Sequence, residues 1–250
     1  MSVKLESTLI EAGRSLLSGL VQIFYPNLCW LCRELMPPER RGFCESCHTA
    51  VFTDPFPACP TCAATVGPFG IIDNQCPTCR VERFGFDRTI RIGPYVAELR
   101  EVVLLLKQGV GESLAEIVGD LWSTQAIHLL QSEKIDTVVP VPLHWKRRWQ
   151  RGYNQSAILA AAWAKALHVP IWPRGIRRVR DTKKQFDLPP HARRENVRGA
   201  FQARSSMPFR GRHVLLVDDV MTTGGTLHES AAALRKAGAA RIVVAVMARA

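Results

Sequence analysis

Four Cys-x-x-Cys pairs, all within residues 29–79, constrain most strongly how this 250-residue chain folds. The gaps between successive pairs are 11, 11 and 13 residues. A Cys-x-x-Cys pair in a tight turn aims two thiolates at one point, and two such pairs complete a tetrahedral shell around Zn²⁺. We therefore predict two structural zinc sites built from eight cysteines: Cys29, Cys32, Cys44, Cys47, Cys59, Cys62, Cys76 and Cys79.

The sequence leaves the pairing of these cysteines open. Sequential pairing places the first four around one ion and the last four around another, whereas an interleaved cross-brace would use the same residues. Disulfides fit poorly, because no secretory signal precedes the pairs. A four-thiolate site has no coordination position open for chemistry, so we expect the zinc ions to stabilise a segment too small for its own core.

The basic charge of the chain is concentrated in one segment. The whole sequence has 33 basic and 22 acidic residues, a net charge of +11. Residues 144–212 contain 17 basic and 3 acidic residues, and their difference of +14 exceeds the surplus of the whole chain. A surplus localised in this way indicates an anion-binding site rather than a generally solubilising charge.

Strands and helices alternate after residue 87. Apolar runs predict strands at 89–92, 136–141, 213–217 and 241–247. Helical spacing of apolar residues predicts helices at 98–107, 112–131, 155–167 and 226–236. This alternation is typical of βαβ units, so we predict an α/β fold with a mostly parallel sheet and helices on both faces.

The chain is expected to have three parts. They are an N-terminal helix at 1–27, a double zinc ribbon at 28–87 and the α/β domain at 88–250. No stretch approaches the about 18 uninterrupted apolar residues that a membrane helix needs. The nearest candidate, residues 3–24, is interrupted by charged residues and has the spacing of an amphipathic helix. We therefore expect a cytoplasmic protein without membrane insertion.

One predicted strand leads into a motif that points to a particular ligand. Residues 214–226 read VLLVDDVMTTGGT: an apolar strand, two carboxylates, and a Thr/Gly loop that opens a helix. Backbone amides that converge at a helix N-terminus form a phosphate cradle. Two carboxylates beside it suit sugar hydroxyls, directly or through a divalent cation, which together indicate a ribose 5-phosphate. No Gly-Lys-Thr/Ser follows the glycines, so this is not a Walker A loop.

This stretch resembles the motif with which type I phosphoribosyltransferases bind 5-phosphoribosyl 1-pyrophosphate (PRPP). The resemblance implies that Asp218 and Asp219 bind the ribose 2′- and 3′-hydroxyls and take part in catalysis, with Mg²⁺ accompanying PRPP. It also implies that the 5′-phosphate is held by the loop residues Met221, Thr222, Thr223, Gly224, Gly225 and Thr226.

Further motifs narrow the family. A zinc ribbon precedes the α/β domain, Leu106-Lys107 follows its first helix, and RGYNQ lies at 151–155. Thr182, Gln185 and Leu188 come next, with Arg193, Asn196, Gly199, Ala200 and Phe201. From about residue 29 to residue 248 the chain resembles the ComF family. Its members are double-zinc-ribbon, phosphoribosyltransferase-like proteins associated with competence for DNA uptake.

Several basic residues are candidates for binding pyrophosphate. In the related transferases the loop after the second core strand binds this group, and the corresponding loop here is 142–155. Four candidates lie in this loop: Lys146, Arg147, Arg148 and Arg151. The fifth is Lys107, which follows the first helix of the α/β domain. Fixed cations and Mg²⁺ would stabilise the departing pyrophosphate electrostatically.

The basic stretch 180–199 is expected to be a mobile loop that closes over the site and excludes water. Lys183 or Lys184 within it would reach the pyrophosphate as a catalytic residue, and the sequence does not choose between them. The alternative is that this stretch is a solvated basic loop.

The sequence leaves three functions open. The first is a phosphoribosyltransferase that takes the pentosyl group from PRPP, releases pyrophosphate and acts in DNA uptake or nucleotide-linked DNA processing. The second is a non-catalytic factor that binds single-stranded DNA. Trp145 and Trp149 interleave with the basic residues and would stack on bases, unless both pack into the domain. The third is a PRPP sensor without turnover.

No base-binding hood is recognisable in the sequence, so the sequence does not indicate which molecule accepts the phosphoribosyl group. Other DNA-uptake proteins are expected partners.

Overall fold

The computed structural model describes residues 26–73, 75–109, 111–143, 145–180 and 195–250. The chain divides into two compact units, Met1–His48 and Thr49–Ala250. The amphipathic helix predicted at 3–24 lies outside the described residues. Among the helices that are described, none combines the length and apolar character needed to cross a membrane.

The elements follow the predicted alternation. The helices are α1 (Glu45–Phe52), α2 (Pro77–Val81), α3 (Ala97–Leu105), α4 (Gly111–Ala126), α5 (Trp145–Arg151), α6 (Gln155–Leu167) and α7 (Gly225–Lys236). The strands are β1 (Arg88–Pro94), β2 (Thr137–Pro140), β3 (Ile176–Arg178), β4 (Phe201–Ala203), β5 (His213–Met221) and β6 (Arg241–Arg249). A 3₁₀ helix (Ile127–Glu133) follows α4.

A four-stranded parallel sheet with the order β1-β6-β5-β2 forms the centre of the larger unit. Val214 and Leu216 of β5 share an apolar cluster with Leu227 of α7. Because alternate strand residues point to opposite faces, the buried Leu215 and Val217 face the other side, where α6 contacts β2 and β5. Helices therefore cover both faces of the sheet, and the predicted type I phosphoribosyltransferase-like architecture is confirmed.

Strand β5 is longer than predicted. The sequence suggested an end at residue 217, but the strand continues to Met221. Asp218 pairs in register with Val246 of β6, so the two acidic residues lie on the strand and not in the loop after it. Sheet pairing with a long apolar neighbour extends the strand through two residues that by themselves disfavour strands.

The first Cys-x-x-Cys turn of each cluster has the same construction. An antiparallel bridge closes it, Leu28–Leu35 in the first cluster and Ala58–Thr65 in the second. The first cysteine's backbone N–H donates across the turn in both cases, over 2.9 Å. The two turns are thus copies of one unit, 30 residues apart.

The second cluster is joined to the sheet through backbone carbonyls. The carbonyls of four successive residues, 60–63, each accept a hydrogen bond from β1 or β6. Their donors are the Thr89 N–H (3.1 Å), the Thr89 hydroxyl (2.7 Å), Arg249 Nε (3.2 Å) and Arg91 Nη1 (2.6 Å). This cluster therefore shares a compact unit with the sheet, since the units divide between residues 48 and 49. The sequence placed it in a separate ribbon ending at residue 87, and that division stays a prediction.

A buried carboxylate ties the carboxyl end of the 3₁₀ helix to the amino ends of two strands. Glu133, which is 5% exposed, ends the 3₁₀ helix and accepts hydrogen bonds from Arg88 Nη1 (2.8 Å) and from Arg241 Nε. Arg88 begins β1 and Arg241 begins β6. The hydrogen bond from Arg241, together with that from Arg88, holds the pKa of Glu133 below its usual value against the effect of burial.

We expect Glu133→Gln to lower the free energy of unfolding at pH 7 by about 1–3 kcal/mol, because it leaves two arginines without their carboxylate. A depressed carboxyl pKa stabilises the fold above the pKa of the unfolded chain, about 4.3, and this contribution is lost as pH falls through the folded pKa. Urea unfolding at pH 7 and at pH 4 measures both effects. The exposed Glu98→Gln is the control, and equal stability of the two variants would contradict the prediction.

Candidate functional site

A cavity of about 400 Å³ opens at the carboxyl edge of the sheet. This is where ligands bind in open parallel sheets. Six of the residues predicted from the sequence line it: Lys107, Arg151, Asp218, Asp219, Thr222 and Thr226. The fold therefore brings the acidic pair, two cations and two residues of the Thr/Gly loop to one place.

The acidic pair at the end of β5 is held by three side chains. Ser156 Oγ donates to Asp218 over 2.8 Å, and Gln155 Nε2 donates to Asp219 over 3.0 Å. Lys107 Nζ lies 3.2 Å from Asp219 Oδ2. Asp219 is buried, and Asp218 keeps some accessible surface on the cavity wall. The pair thus presents carboxylate oxygens to the cavity from a fixed position.

The two carboxyl groups have opposite pKa shifts. Burial, together with the charge of Asp219, raises the pKa of Asp218 to about 8. Burial acts in the same direction on Asp219, but Lys107 and the hydrogen bond from Gln155 outweigh it and hold that pKa below its usual value. Of the two carboxyl groups, Asp219 therefore holds its negative charge to lower pH than Asp218. A cation or hydroxyl donors placed beside the pair would favour ionised Asp218 as well.

The RGYNQ segment at 151–155 explains how Lys107 is placed. The Tyr153 hydroxyl donates to the carbonyl oxygen of Leu106 and contacts that of Gln108 at 3.3 Å. These two residues flank Lys107, and Tyr153 itself is buried. Tyr153 therefore fixes the turn after α3 that carries the ammonium group to Asp219.

The rest of the same segment reaches the site directly. Asn154 Nδ2 donates over 3.2 Å to the carbonyl of Val141, in the loop after β2, and Gln155 contacts Asp219. Gln155 and Ser156 were missed as site residues, because the stretch 155–167 was interpreted as a buried apolar helix. The sequence did contain a signal, because the first turn of that helix is polar. In the structure, this turn follows Gly152, whose φ is +82°.

The Thr/Gly loop lies between β5 and α7. Gly224 precedes the first residue of α7 with φ of +76°, a backbone conformation that favours glycine. Thr222 and Thr226 line the cavity. The Thr223 hydroxyl is buried and has no hydrogen-bond partner among the described residues. Leaving a buried hydroxyl unpaired costs free energy, and a water molecule or a ligand oxygen in this loop would supply the missing partner.

The other predicted cations lie in different places. Arg148 is exposed and lines a second cavity, of about 810 Å³, together with Glu112 and Asp120 of α4. Lys146 and Arg147 lie on α5, and the positions of their side chains are not described. Lys183 and Lys184, with most of the predicted mobile loop, lie outside the described residues.

The cavity is also lined by two residues, Tyr95 and Arg178, that were not predicted from the sequence. Tyr95 follows β1, and Arg178 ends the short strand β3. The Arg178 guanidinium lies over the ring of Phe201 in β4, 5.5 Å from its centroid. The hairpin of β3 and β4 has only three residues in each strand, too few for a periodic pattern, so the sequence carried no local signal for Arg178.

The eight cysteines form two clusters from successive pairs. Cys29, Cys32, Cys44 and Cys47 form one, and Cys59, Cys62, Cys76 and Cys79 form the other, with the sulfur atoms of each within 4.8 Å of one another. Sulfur atoms lie 3.6 Å apart between Cys32 and Cys44, and 3.8 Å apart between Cys59 and Cys79. A tetrahedral ion with Zn–S bonds of about 2.3 Å requires about 3.8 Å. Both clusters thus fit Zn²⁺, and the pairing is sequential.

Known proteins resemble the chain over different lengths. The profile of the phosphoribosyl transferase domain matches residues 154–250. DNA utilization protein YhgH of Escherichia coli K12 is 32% identical over 88% of this chain and 95% of its own. Competence protein F of Haemophilus influenzae is 32% identical over 91% and 99%. In structure, the glutamine PRPP amidotransferase of B. subtilis matches 54% of this chain and 26% of its own, with 23% identity and a TM-score of 0.38.

We expect the purified chain to contain two zinc ions, because both four-cysteine clusters have the geometry of a closed thiolate site. Cys29→Ser and Cys59→Ser each break one cluster, so each variant should lose one ion. Elemental analysis by inductively coupled plasma mass spectrometry measures the content per chain. Loss of both ions in either variant would contradict independent sites.

Proposed function

The chain belongs to the ComF family, and from this we propose that it binds PRPP with Mg²⁺ in the cavity at the carboxyl edge of the sheet and transfers its phosphoribosyl group in a DNA-related process. One observation carries the proposal. A buried acidic pair, fixed by Lys107, Gln155 and Ser156, lies beside a Thr/Gly loop with an unpartnered buried hydroxyl. The names of the relatives, DNA utilization protein and competence protein F, support the link to DNA.

The two parts of the site suit the two ends of a ribose phosphate. The loop after β5 offers backbone amides and threonine hydroxyls at the amino end of the 12-residue helix α7, where the helix dipole favours an anion. The Thr223 hydroxyl would gain a phosphate oxygen as its partner. Asp218 and Asp219 would accept hydrogen bonds from the 2′- and 3′-hydroxyls, and each such bond to an ionised carboxylate contributes about 1.5–3 kcal/mol.

Carboxylate oxygens are also the ligands that Mg²⁺ prefers, so the acidic pair fits this ion. When bound, the ion would neutralise charge on the pyrophosphate. The reaction breaks the bond between C1 of ribose and the pyrophosphate oxygen, which keeps the electron pair. A nucleophilic atom of the acceptor supplies the pair for the new bond to C1 and releases its proton to solvent. Lys107, Arg151 and Arg178 all line the cavity and would stabilise the negative charge that develops there. Lys183 or Lys184, on the predicted mobile loop, would add to this.

We expect wild-type protein to bind PRPP with Mg²⁺, measured by isothermal titration calorimetry. The double variant Asp218→Asn/Asp219→Asn should bind about 100-fold more weakly, because it removes two charged hydrogen-bond acceptors. Asp120→Asn, an exposed carboxylate of α4 that lines the other cavity, is the matched control. A wild-type protein that does not bind PRPP even with Mg²⁺ would refute the proposal. Pyrophosphate release with a panel of acceptors separates an enzyme from a sensor that binds without turnover.

A second function, binding of single-stranded DNA, is supported by one observation. Trp149 on α5 is 85% exposed, so it does not pack into the domain. Arg148, also exposed, precedes it, and the segment 144–212 around it carries the surplus of +14. Exposed rings among cations stack on bases while the cations follow the phosphates. We propose this surface as the place where the chain contacts DNA.

We expect Trp149→Ala to weaken binding of single-stranded oligonucleotides about tenfold, because one stacked base contributes about 1–3 kcal/mol. Fluorescence anisotropy over a range of salt concentrations measures the affinity and its salt dependence. Phe69→Ala is the control, since it removes a ring that is 93% exposed but lies outside the basic segment. Equal affinities of the two variants would argue against this surface.

A further inference from the structure

Arg249, near the end of β6, connects the second four-cysteine cluster with the Thr/Gly loop proposed to bind the 5′-phosphate. Its side chain is buried, with 9% of the residue exposed. Nε donates to the carbonyl of Cys62 over 3.2 Å. Nη1 donates to the carbonyl of Met221 over 3.2 Å and also to that of Thr222. One guanidinium group therefore links Cys62 of the four-cysteine cluster with Met221, the last residue of β5, and with Thr222, the next residue of the loop.

A second contact joins the same cluster to the middle of the loop. Phe84 lies in the short segment between α2, which contains Cys79, and β1. A Cβ atom on Gly224 would lie 2.7 Å from the Phe84 ring and 2.6 Å from the methyl group of Met221. The ring therefore packs directly against the glycine. The first pair of this cluster is linked to the loop through Arg249, and the segment that follows the second pair is linked to it through Phe84.

The second cluster is also continuous with the core beneath the loop. All four of its cysteines are buried, and they belong to the same apolar cluster as Phe86, Met221 and Leu227. The metal-binding segment is short and proline-rich, so bound metal supplies much of the free energy that folds it. Without metal, the carbonyl of Cys62 and the ring of Phe84 would be held less firmly in the positions from which they support the loop.

We propose that Arg249 is a positioning residue that couples metal loading of the second four-cysteine cluster to the shape of the 5′-phosphate loop, and so to PRPP affinity. This inference rests on the proposed PRPP site. The second cluster then does more than stabilise a ribbon: it keeps the loop amides in the arrangement that receives a phosphate. The first cluster, Cys29 to Cys47, belongs to the other compact unit, and the proposal assigns the link to the second cluster alone.

Arg249→Lys tests the link between the second four-cysteine cluster and the loop by changing the residue of β6 that contacts both. Lysine keeps the positive charge, but a single ammonium group does not span both sets of carbonyls as the guanidinium fork does. We expect zinc content to stay at two ions, PRPP affinity to fall about tenfold for the lost charge-assisted hydrogen bonds, and amides 220–226 to exchange hydrogen faster. The exchange is measured by mass spectrometry without PRPP, so this readout does not depend on ligand binding.

The two cysteine variants test the link from the side of the metal. Cys59→Ser should lose one zinc ion and show the same weaker PRPP binding and faster exchange in 220–226. Its matched control is Cys29→Ser, the corresponding residue of the first turn, which should lose one ion and keep wild-type affinity. Equal PRPP affinities of these two variants would overturn the proposal.

Hydrogen exchange of the amides in strand β2 (Thr137–Pro140) distinguishes a local loosening of the loop from a general loss of stability. In the proposed coupling its amides stay protected while the loop exchanges faster. Phe84→Leu keeps every hydrogen bond of Arg249 and removes only the ring against Gly224, so it should accelerate loop exchange even if Arg249→Lys fails to fold. Uniform acceleration across β2 and the loop in all these variants would overturn the proposal. Absence of PRPP binding by wild-type protein would instead refute the PRPP site, and the exchange data would still test the coupling.

Discussion

The burial of two adjacent carboxylates at the end of a central strand is the constraint on which the site depends. Neither carboxylate would be tolerated there without hydrogen bonds or a nearby cation. Ser156 and Gln155 supply the hydrogen bonds, and Lys107 supplies the charge. The position of Lys107 in turn depends on the Tyr153 anchor. Much of the architecture around the cavity therefore serves to keep one acidic pair in place.

The two cysteine clusters have the same ligands but different surroundings. In the first cluster Cys32 is exposed and Cys47 is half-buried, whereas all four cysteines of the second are buried. Buried thiolates are shielded from chelators and oxidants, since both must reach the sulfur atoms. Two copies of one turn have thus acquired unequal protection through what packs on them, although their spacing in the sequence is nearly the same.

The sequence was informative wherever a pattern is local. The Cys-x-x-Cys spacing, the alternation of elements and the run from Val214 to Thr226 lie within short windows, so the metal clusters, the sheet and the acidic pair could all be predicted. Gln155, Arg178 and Arg249 could not, because their roles depend on partners far along the chain. Arg249, for example, contacts a carbonyl 187 residues away. The cations of the loop 142–155 were predicted from the resemblance to the related transferases. Arg151 lines the cavity at the carboxyl edge of the sheet, whereas helical geometry directs Arg148 to a different cavity.

The hydrogen bonds from β1 to the carbonyls of Pro60, Thr61 and Ala63 have a consequence for the edge of the sheet. Strand β1 lies at this edge, where unpaired backbone groups would form a template for another chain. The first Cys-x-x-Cys turn of the second cluster covers part of the edge, because the Thr89 N–H donates to the carbonyl of Pro60. A shortened chain that began at residue 88 would uncover the edge beside the apolar Ile90 and Ile92. The turn that carries Cys59 and Cys62 thus lowers the number of unpaired backbone groups that this edge exposes.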